Sequence, residues 1–458
     1  PLRPPPGLVL VLPFRQHPPG AAAQACASLA FELWPSKAYP AVCAVRRGLS
    51  SVRSRSLPSS MNRRLFFQTA MAAGVSVATT ASQPLRAALS PPAASGRPGL
   101  FTPLTLRGVT LRNRIAMSPM CQYSSEDGFA NQWHFAHHAA RAIGGAGLLL
   151  AEATAVTPAG RITPNCLGIW KDEHVAALRP WTEFVQQHGA VPGIQLAHAG
   201  VKASRHRPFH PTPNAFVPLD AGGWLPVGPS AKRYGSDGPV PHALTIAEIE
   251  AIRDQFVAAA QRALAAGFRV IELHFAHGYL GHSFLSPLMN ERQDEYGGGF
   301  DQRVKFLIDT ARAVRKAMPD TVPLFVRLSC TDWVEGGWRI EDSVEATRRI
   351  AQEGVDLIDC SSGGASRKAE IPVGPGYQVP LAERIRRETG VPTGAVGLIT
   401  DPQQADAIIA DGRADLVLLG RELLRDPHWP HRAWAALKPD VPAPIAREYA
   451  WALPETRR

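Results

Sequence analysis

The chain has 458 residues, 45% hydrophobic and 19% charged, a balance typical of globular proteins and sufficient for one large or two medium domains. The formal net charge of +10 does not indicate a nucleic-acid partner. Residues 1–88 hold ten lysines and arginines against one acidic residue, which leaves 39 basic against 38 acidic residues elsewhere. The six cysteines form no C-x-x-C pair, which argues against zinc ribbons and iron–sulfur clusters. No uncharged apolar stretch is long enough to span a bilayer, so we expect no membrane span.

The first 98 residues differ from the rest in composition. Residues 1–60 are rich in Pro, Ala, Ser and Arg without periodicity, which predicts disorder or sequence upstream of a true start at Met61. Residues 61–98 begin with "MNRRLFFQTAMAAG", where Arg63 and Arg64 precede an Ala-rich segment and a linker. This resembles a twin-arginine export signal, and an ordinary basic amphipathic start is the alternative. A functional signal would place the protein in the periplasm; otherwise we expect it in the cytoplasm.

From residue 99 onward, short apolar runs alternate with longer amphipathic ones, the pattern of repeated strand–helix units. Helices are predicted between the strands, the last one over 422–437. Several end in a glycine immediately before the next strand, where a left-handed residue is favourable: Gly189, Gly267, Gly354, Gly390 and Gly412. Eight strands are predicted, at 114–120, 147–156, 191–198, 270–276, 324–329, 356–362, 392–399 and 415–421.

Eight such units within 99–440 predict an α/β fold of the (β/α)₈ TIM-barrel class. An open doubly wound sheet is the alternative, but it would need a Gly-rich turn after the first strand, and "SPMCQYSSEDG" lacks one. The Pro- and Gly-rich insertion 201–245 follows the third strand. Because it lies at the catalytic end of a barrel, we expect a cap. Residues 441–458 form a tail that could contact another subunit.

Barrel chemistry takes place where the strands end, so polar residues at those positions are site candidates. Loops after the seventh and eighth strands commonly bind phosphate, and Gly397, Gly420 and Arg421 offer close backbone approach and a cation there. With Gln195 and Arg327 they indicate a flat, phosphorylated cofactor. The other candidates are Ser118, Cys121, Ala153, Thr154, His198, His274, His277 and Tyr279.

The pair His274 and His277 allows two interpretations. Together with Glu272 they could bind a metal in a barrel hydrolase, although a catalytic zinc needs three converging ligands. Alternatively, both imidazoles could donate hydrogen bonds to one substrate atom. We favour the second interpretation and expect no metal.

Five segments carry a resemblance to a known family: "NRIAMSPMCQYSSEDGFANQWHFAHHAARAIGGAGLLLAEATAV", "LGIWKDEHV", "GIQLAHAGVKAS", "HFAHGYLGHSFLSPLMNERQDEYGGGFDQR" and "VGLITDPQQADAIIADGRADLVLLGRELLRDP". From about Leu100 to about Pro439 the chain resembles the Old Yellow Enzyme family of FMN-dependent ene-reductases, and more narrowly its thermophilic-like branch. The resemblance implies FMN across the barrel mouth. The residues implied to hold it are Ser118, Pro119, Met120, Cys121, Ala153, Gln195, Arg327, Gly397, Gly420 and Arg421.

The resemblance also implies a reaction. NADPH or NADH reduces the flavin, which passes a hydride to the β-carbon of an α,β-unsaturated carbonyl compound; quinones and nitro compounds are further candidate substrates. His274 and His277 would stabilise the enolate oxygen, and Tyr279 would donate the proton. Tyr123 and Lys202 would contact substrate.

Three further expectations concern the tuning of the flavin, the oligomeric state and an alternative function. Cys121 would tune the flavin, or be an inert thiol. A homo-oligomer is expected. In the thermophilic-like branch an arginine near the chain end often reaches the site of a neighbouring subunit, but here the matching position is nearer Tyr449 or Trp451 than Arg447, so the sequence departs from the family pattern. An FMN carrier without enone turnover is a further alternative.

Overall fold

The computed structural model describes residues 97–452. The predictions for residues 1–60, for residues 61–96 with Arg63 and Arg64, and for the end of the tail lie outside these residues. Within the described range, no helix is both long and apolar enough to cross a membrane.

Eight parallel strands form a closed barrel in chain order, which confirms the predicted (β/α)₈ fold. The barrel closes where its last strand pairs with its first, with Val417 opposite Ile115. Every predicted strand is present, and the structure shortens most of them by one to four residues. The barrel strands are β3 (Ile115–Met117), β4 (Leu148–Ala155), β5 (Val191–Ala197), β8 (Val270–Phe275), β9 (Leu324–Ser329), β10 (Leu357–Ser361), β11 (Thr393–Val396) and β12 (Leu416–Leu419).

Helices surround the barrel, and each of the five predicted glycines lies between a helix and the strand that follows it. Gly189, Gly267, Gly354, Gly390 and Gly412 all have φ between 69° and 95°, a conformation that a side chain disfavours. The helices are α1 (Gln132–Ile143), α2 (Glu173–Gln187), α3 (Ile246–Ala265), α4 (Leu280–Leu285), α5 (Phe300–Ala317), α6 (Ile340–Gln352), α7 (Val379–Thr389), α8 (Pro402–Ala410), α9 (Arg421–Arg425), α10 (Trp429–Leu437) and α11 (Arg447–Ala450).

The prediction of a single helix over 422–437 is wrong, because the structure divides this segment between α9 and α10. Pro427 lies between them and disfavours helical geometry in Asp426, whose φ of −134° and ψ of 91° are extended. Pro430 is tolerated because it lies in the first turn of α10.

A hairpin that the sequence patterns did not predict closes the bottom of the barrel. Its strands are β1 (Leu104–Leu106) and β2 (Val109–Leu111), and Val109 and Leu111 pack into an apolar cluster with barrel residues such as Leu148 and Phe325. The barrel interior is therefore packed at this end, which leaves the opposite end for chemistry.

The insertion 201–245 forms the predicted cap beside the loop that follows β8. It contains the short strands β6 (Val227–Gly228) and β7 (His242–Ala243). Two contacts fasten it: Lys202 Nζ donates to the carbonyl of His277 at 2.6 Å, and Ser230 Oγ accepts from the backbone N–H of Glu291 at 2.8 Å.

Candidate active site

The three predicted catalytic side chains converge where β8 ends. The chain turns sharply after His274, with φ of 61° at His277 and 71° at Gly278, and α4 begins directly after Tyr279. The ring centroids of His274 and His277 lie 5.1 Å apart, as do those of His274 and Tyr279. Two imidazoles and a phenol therefore surround a common space at the barrel mouth.

His277 is held by three neighbouring segments. Its backbone N–H donates to Ser329 Oγ at 2.8 Å, its carbonyl accepts from Lys202, and its Nε2 lies 2.7 Å from Ser361 Oγ. Burial, followed by the charge of Arg327, lowers the pKa of His277 well below its usual value. The ring is therefore neutral at physiological pH, and only one of its nitrogens carries a proton.

His274 points into the mouth with an unused polar atom. The residue is 3% exposed, and its buried Nδ1 has no hydrogen-bond partner among residues 97–452. Burial, followed by Arg327, lowers the pKa of His274 well below its usual value. A buried nitrogen without a partner costs free energy unless something binds to it.

A charged layer lies below the histidines. Arg327 Nη1 donates to Ser118 Oγ at 3.2 Å, and its Nε lies 3.2 Å from Asp359 Oδ2, in ion-pair but not hydrogen-bond geometry. Gln195 Nε2 donates to Glu272 Oε1 at 2.8 Å. Burial, followed by Asp359, raises the pKa of Glu272, whereas Arg327 and Gln195 lower it.

The segment after β3 brings Cys121 and Tyr123 to the same mouth. Burial raises the pKa of the Cys121 thiol and of the Tyr123 phenol, and Tyr123 lies within hydrogen-bonding reach of Cys121. The backbone N–H of Gln122 donates to Glu152 Oε2 at 3.0 Å, which fixes this segment against β4. Burial also raises the pKa of Tyr279, so both phenols keep their protons at neutral pH.

A cavity of about 170 Å³ lies between the ends of β11 and β12. The three residues predicted to bind phosphate, Gly397, Gly420 and Arg421, line it together with Arg327. Gly397 has φ of 132°, and a Cβ there would come within 3.0 Å of Tyr377, so a side chain would be strained and crowded.

The residues at this mouth fit FMN. The Gln195 amide, the Arg327 guanidinium and the unpartnered Glu272 Oε2 provide hydrogen-bonding groups for a polar ring edge, and the glycine-lined cavity accommodates a phosphate. Met120 Sδ lies 3.6 Å from where a Cβ of Gly420 would stand, so the segment after β3 adjoins that cavity. Pro119 lies in this segment, and Ala153 is opposite Gln195 in the strand pairing.

A metal site is not favoured. No group of three His, Cys, Asp or Glu residues within the described part of the chain could hold a metal ion. Glu272, the third ligand of that alternative, is instead hydrogen-bonded to Gln195. His198 is also used structurally, because its Nδ1 accepts from the backbone N–H of Gly200 at 3.1 Å.

Sequence reasoning missed four residues that support the site. Asp359 pairs with Arg327, Ser361 contacts His277, Gln378 Oε1 accepts from Ser362 at 2.6 Å, and Glu152 holds the segment after β3. The second aspartate of "DLIDCSS", Asp359, was a usable signal, because it lies inside a predicted barrel strand and an unpaired carboxylate is rarely buried.

Comparisons with known proteins agree with this site. The chain is 49% identical over 354 residues to the NADPH dehydrogenase of Geobacillus thermodenitrificans, covering 77% of this chain and 98% of the relative. It is 45% identical over 354 residues to the NADPH dehydrogenase of Bacillus subtilis, covering 77% and 99%.

Solved structures show the same barrel. The Old Yellow Enzyme homologue from Zymomonas mobilis superposes with a TM-score of 0.62 at 27% identity, covering 77% of this chain and 98% of that one. Morphinone reductase superposes with a TM-score of 0.62 at 27% identity, covering 75% and 91%. Residues 99–439 match the NADH:flavin oxidoreductase / NADH oxidase family. The chain therefore belongs to this family, the Old Yellow Enzyme family of FMN-dependent oxidoreductases that use a nicotinamide reductant.

Proposed function

We propose that the enzyme reduces the carbon–carbon double bond of α,β-unsaturated carbonyl compounds at the expense of NADPH or NADH. FMN, held by residues that include Gln195, Arg327, Gly397, Gly420 and Arg421, would supply the hydride chemistry when bound. The observation that carries this proposal is the convergence of His274, His277 and Tyr279 on one space above Arg327. Cyclic enones are the first substrate class, and quinones and nitro compounds are further candidates.

The two histidines would stabilise charge on the substrate oxygen. Addition at the β-carbon builds enolate charge on the carbonyl oxygen, and fixed donors stabilise that charge more than the uncharged ground state. His274 has an unpartnered buried nitrogen available for this purpose. Since both imidazoles are neutral, each gives one hydrogen bond without a full charge of its own.

Ser361 would set which nitrogen of His277 donates. Ser361 Oγ lies 2.7 Å from His277 Nε2, where either atom could donate, and 3.4 Å from Gln378 Oε1, which can only accept. We assign the hydroxyl proton to the shorter contact. A hydroxyl that donates to Nε2 leaves the ring proton on Nδ1, where it can face the substrate oxygen. Ser361 is thus a positioning residue that acts through His277.

Tyr279 would donate the proton that completes reduction at the α-carbon. Its raised pKa keeps the phenol protonated at neutral pH, and a protonated tyrosine can act as a general acid. Tyr123 and Lys202 would contact the substrate from the other sides of the mouth. Lys202 Nζ is 5.5 Å from the Tyr279 ring centroid.

The function is tested with purified protein saturated with FMN under anaerobic conditions. We expect NADPH or NADH to bleach the flavin absorbance, and a cyclic enone, a quinone or a nitro compound to restore it. A flavin that is bleached but never restored by any enone would support an FMN carrier instead. Protein that does not bind FMN would overturn the proposal, and hydrolysis that a chelator abolishes would favour the metal-dependent alternative.

Two further proposals rest on the sequence and the tail. The paired Arg63 and Arg64 support twin-arginine export to the periplasm, which cell fractionation of a double Arg→Lys variant would test. In the tail, Tyr449 is 48% exposed and Trp451 74% exposed, which supports a homo-oligomeric contact. Sedimentation of the chain truncated after residue 446 would test it: an unchanged oligomer would contradict this contact.

A further inference from the structure

A second cavity, of about 450 Å³, lies beside the catalytic mouth between the cap and the loop after β10. Its floor is apolar: Val201, Met289 and Ala365 form a small buried cluster of their own, against which Tyr234 and Leu288 pack. A separate apolar cluster at a surface cavity indicates a place for a flat, apolar group rather than for solvent alone.

The rim of this cavity is basic. Lys232, Arg233, Arg367 and Lys368 line it. Lys232 pairs with Glu291 at 2.5 Å and Arg367 with Asp237 at 3.3 Å, whereas Arg233 and Lys368 form no ion pair with any residue of the described range. Two cations are therefore left without a neutralising partner.

The surrounding charge acts on the active site as well. Burial, followed by the charges of Arg367 and Arg205, lowers the pKa of Lys202 to about 7. Asp237 is shared between Arg205 and Arg367 and so neutralises them incompletely. An anion entering the cavity would relieve this excess of positive charge.

The cavity adjoins the mouth, and two side chains, Lys202 and Tyr234, lie between them. Lys202 Nζ lies 4.2 Å from the ring centroid of Tyr234, which lines the cavity, and 2.6 Å from the carbonyl of His277, which borders the mouth. Ala365 follows Gly364, which packs against the backbone of His277. One extended ligand could therefore occupy both places.

We propose that this cavity binds the adenosine end of NADPH, with the purine on the apolar floor and the 2′-phosphate between Arg233 and Lys368. The inference rests on the proposed function, because it assumes a nicotinamide at the mouth. A phosphate monoester carries about −1.5 to −2 charges at pH 7, which matches two unpaired cations. Arginine binds phosphate through a planar fork and lysine through a point charge. The cavity would thus favour NADPH over NADH.

The test uses the FMN-loaded double variant Arg233→Ala/Lys368→Ala. The matched control is Lys316→Ala/Arg387→Ala, which removes the same charge from helix ends at the opposite side of the barrel. The concentration dependence of anaerobic flavin bleaching gives an apparent Kd for each reductant. We expect the Kd for NADPH to rise about tenfold in the double variant and that for NADH to change less than about twofold.

Calorimetry gives a readout that does not depend on turnover. Adenosine 2′,5′-bisphosphate should bind the wild-type holoenzyme more tightly than adenosine 5′-diphosphate, and the double variant should lose this difference while the control keeps it. Equal weakening of NADPH and NADH, or no change in either, would overturn the inference. The inference would also be overturned if the double variant bound only carboxylate-bearing substrates more weakly and bound both reductants as the wild type does. If the wild-type flavin is bleached by neither reductant, the proposed function fails instead.

Discussion

The Nε2 atom of His277, on the loop after β8, lies 2.7 Å from the Oγ atom of Ser361, the last residue of β10. This contact links two segments of the mouth and, in the proposed mechanism, governs which nitrogen of His277 carries its proton. In Ser361→Ala we expect the rate of enone reduction to fall by about tenfold or less, because one hydrogen bond contributes about 0.5–1.5 kcal/mol. Steady-state kinetics measure the rate of enone reduction, and a flavin titration measures the affinity for FMN.

Two outcomes separate positioning from mere packing. Ser361→Thr keeps the hydroxyl and should recover most of the activity, and FMN binding should be unchanged in both variants. A loss of the same size in Ser361→Thr would contradict the assignment.

Tyr279→Phe tests the proton donor. We expect enone reduction to fall by roughly 10²-fold or more, the usual contribution of a general acid, while flavin bleaching by NADPH is retained. Quinone reduction should suffer far less, because its products are protonated on oxygen rather than carbon. Rapid-mixing absorbance resolves the two half-reactions. Tyr296→Phe, which alters another buried tyrosine, is the control. Enone turnover equal to that of the wild type would show that another group donates.

Arg327 and Asp359 form a buried pair, so removing one partner should destabilise the protein. In Arg327→Met we expect the free energy of unfolding to fall by about 3–5 kcal/mol, because Asp359 is left buried without its cation. Urea unfolding without added FMN measures the change. The double variant Arg327→Met/Asp359→Asn should regain part of the loss. Additive effects of the two substitutions would show that the pair is not coupled.

Lys202 should make stability depend on pH. Its pKa in the folded protein is lowered to about 7, against about 10.4 for an unperturbed lysine, so the unfolded chain binds the proton more tightly between these values. The free energy of unfolding therefore gains a contribution that rises from about pH 7 to about pH 10. Lys202→Met should remove this rise.

Urea unfolding at pH 6.5, 8 and 9.5 compares the slopes. Lys316→Met, at an exposed helix position, should keep the wild-type slope. If Lys202→Met also keeps the wild-type slope, Lys202 is not the group that makes the free energy of unfolding depend on pH.

Much of this fold followed from the sequence. Eight apolar runs and five helix-ending glycines predicted the barrel, because each strand–helix unit repeats the same local pattern. The division between α9 and α10 was missed because the apolar spacing continues across Pro427. The hairpin β1–β2 was missed because two strands of three residues carry too little periodicity.

The site was predicted in part. The positions of His274, His277, Tyr279, Arg327 and Gly397 followed from the rule that barrel sites lie at the carboxyl ends of strands. The contacts of Ser361 and Asp359 depend on how segments more than thirty residues apart in the chain come together, so local patterns could not predict them. The basic cavity likewise combines two loops more than a hundred residues apart.

The central claim is that His274 and His277 stabilise charge on the substrate oxygen while FMN transfers a hydride. The most direct measurement is a single turnover in which anaerobically reduced, FMN-loaded enzyme is mixed with 2-cyclohexenone and the return of flavin absorbance is followed. We expect His274→Ala to bind FMN and to be bleached by NADPH as the wild type is, with reoxidation by the enone slower by roughly 10²–10³-fold. Reoxidation of His274→Ala at the wild-type rate would contradict the account.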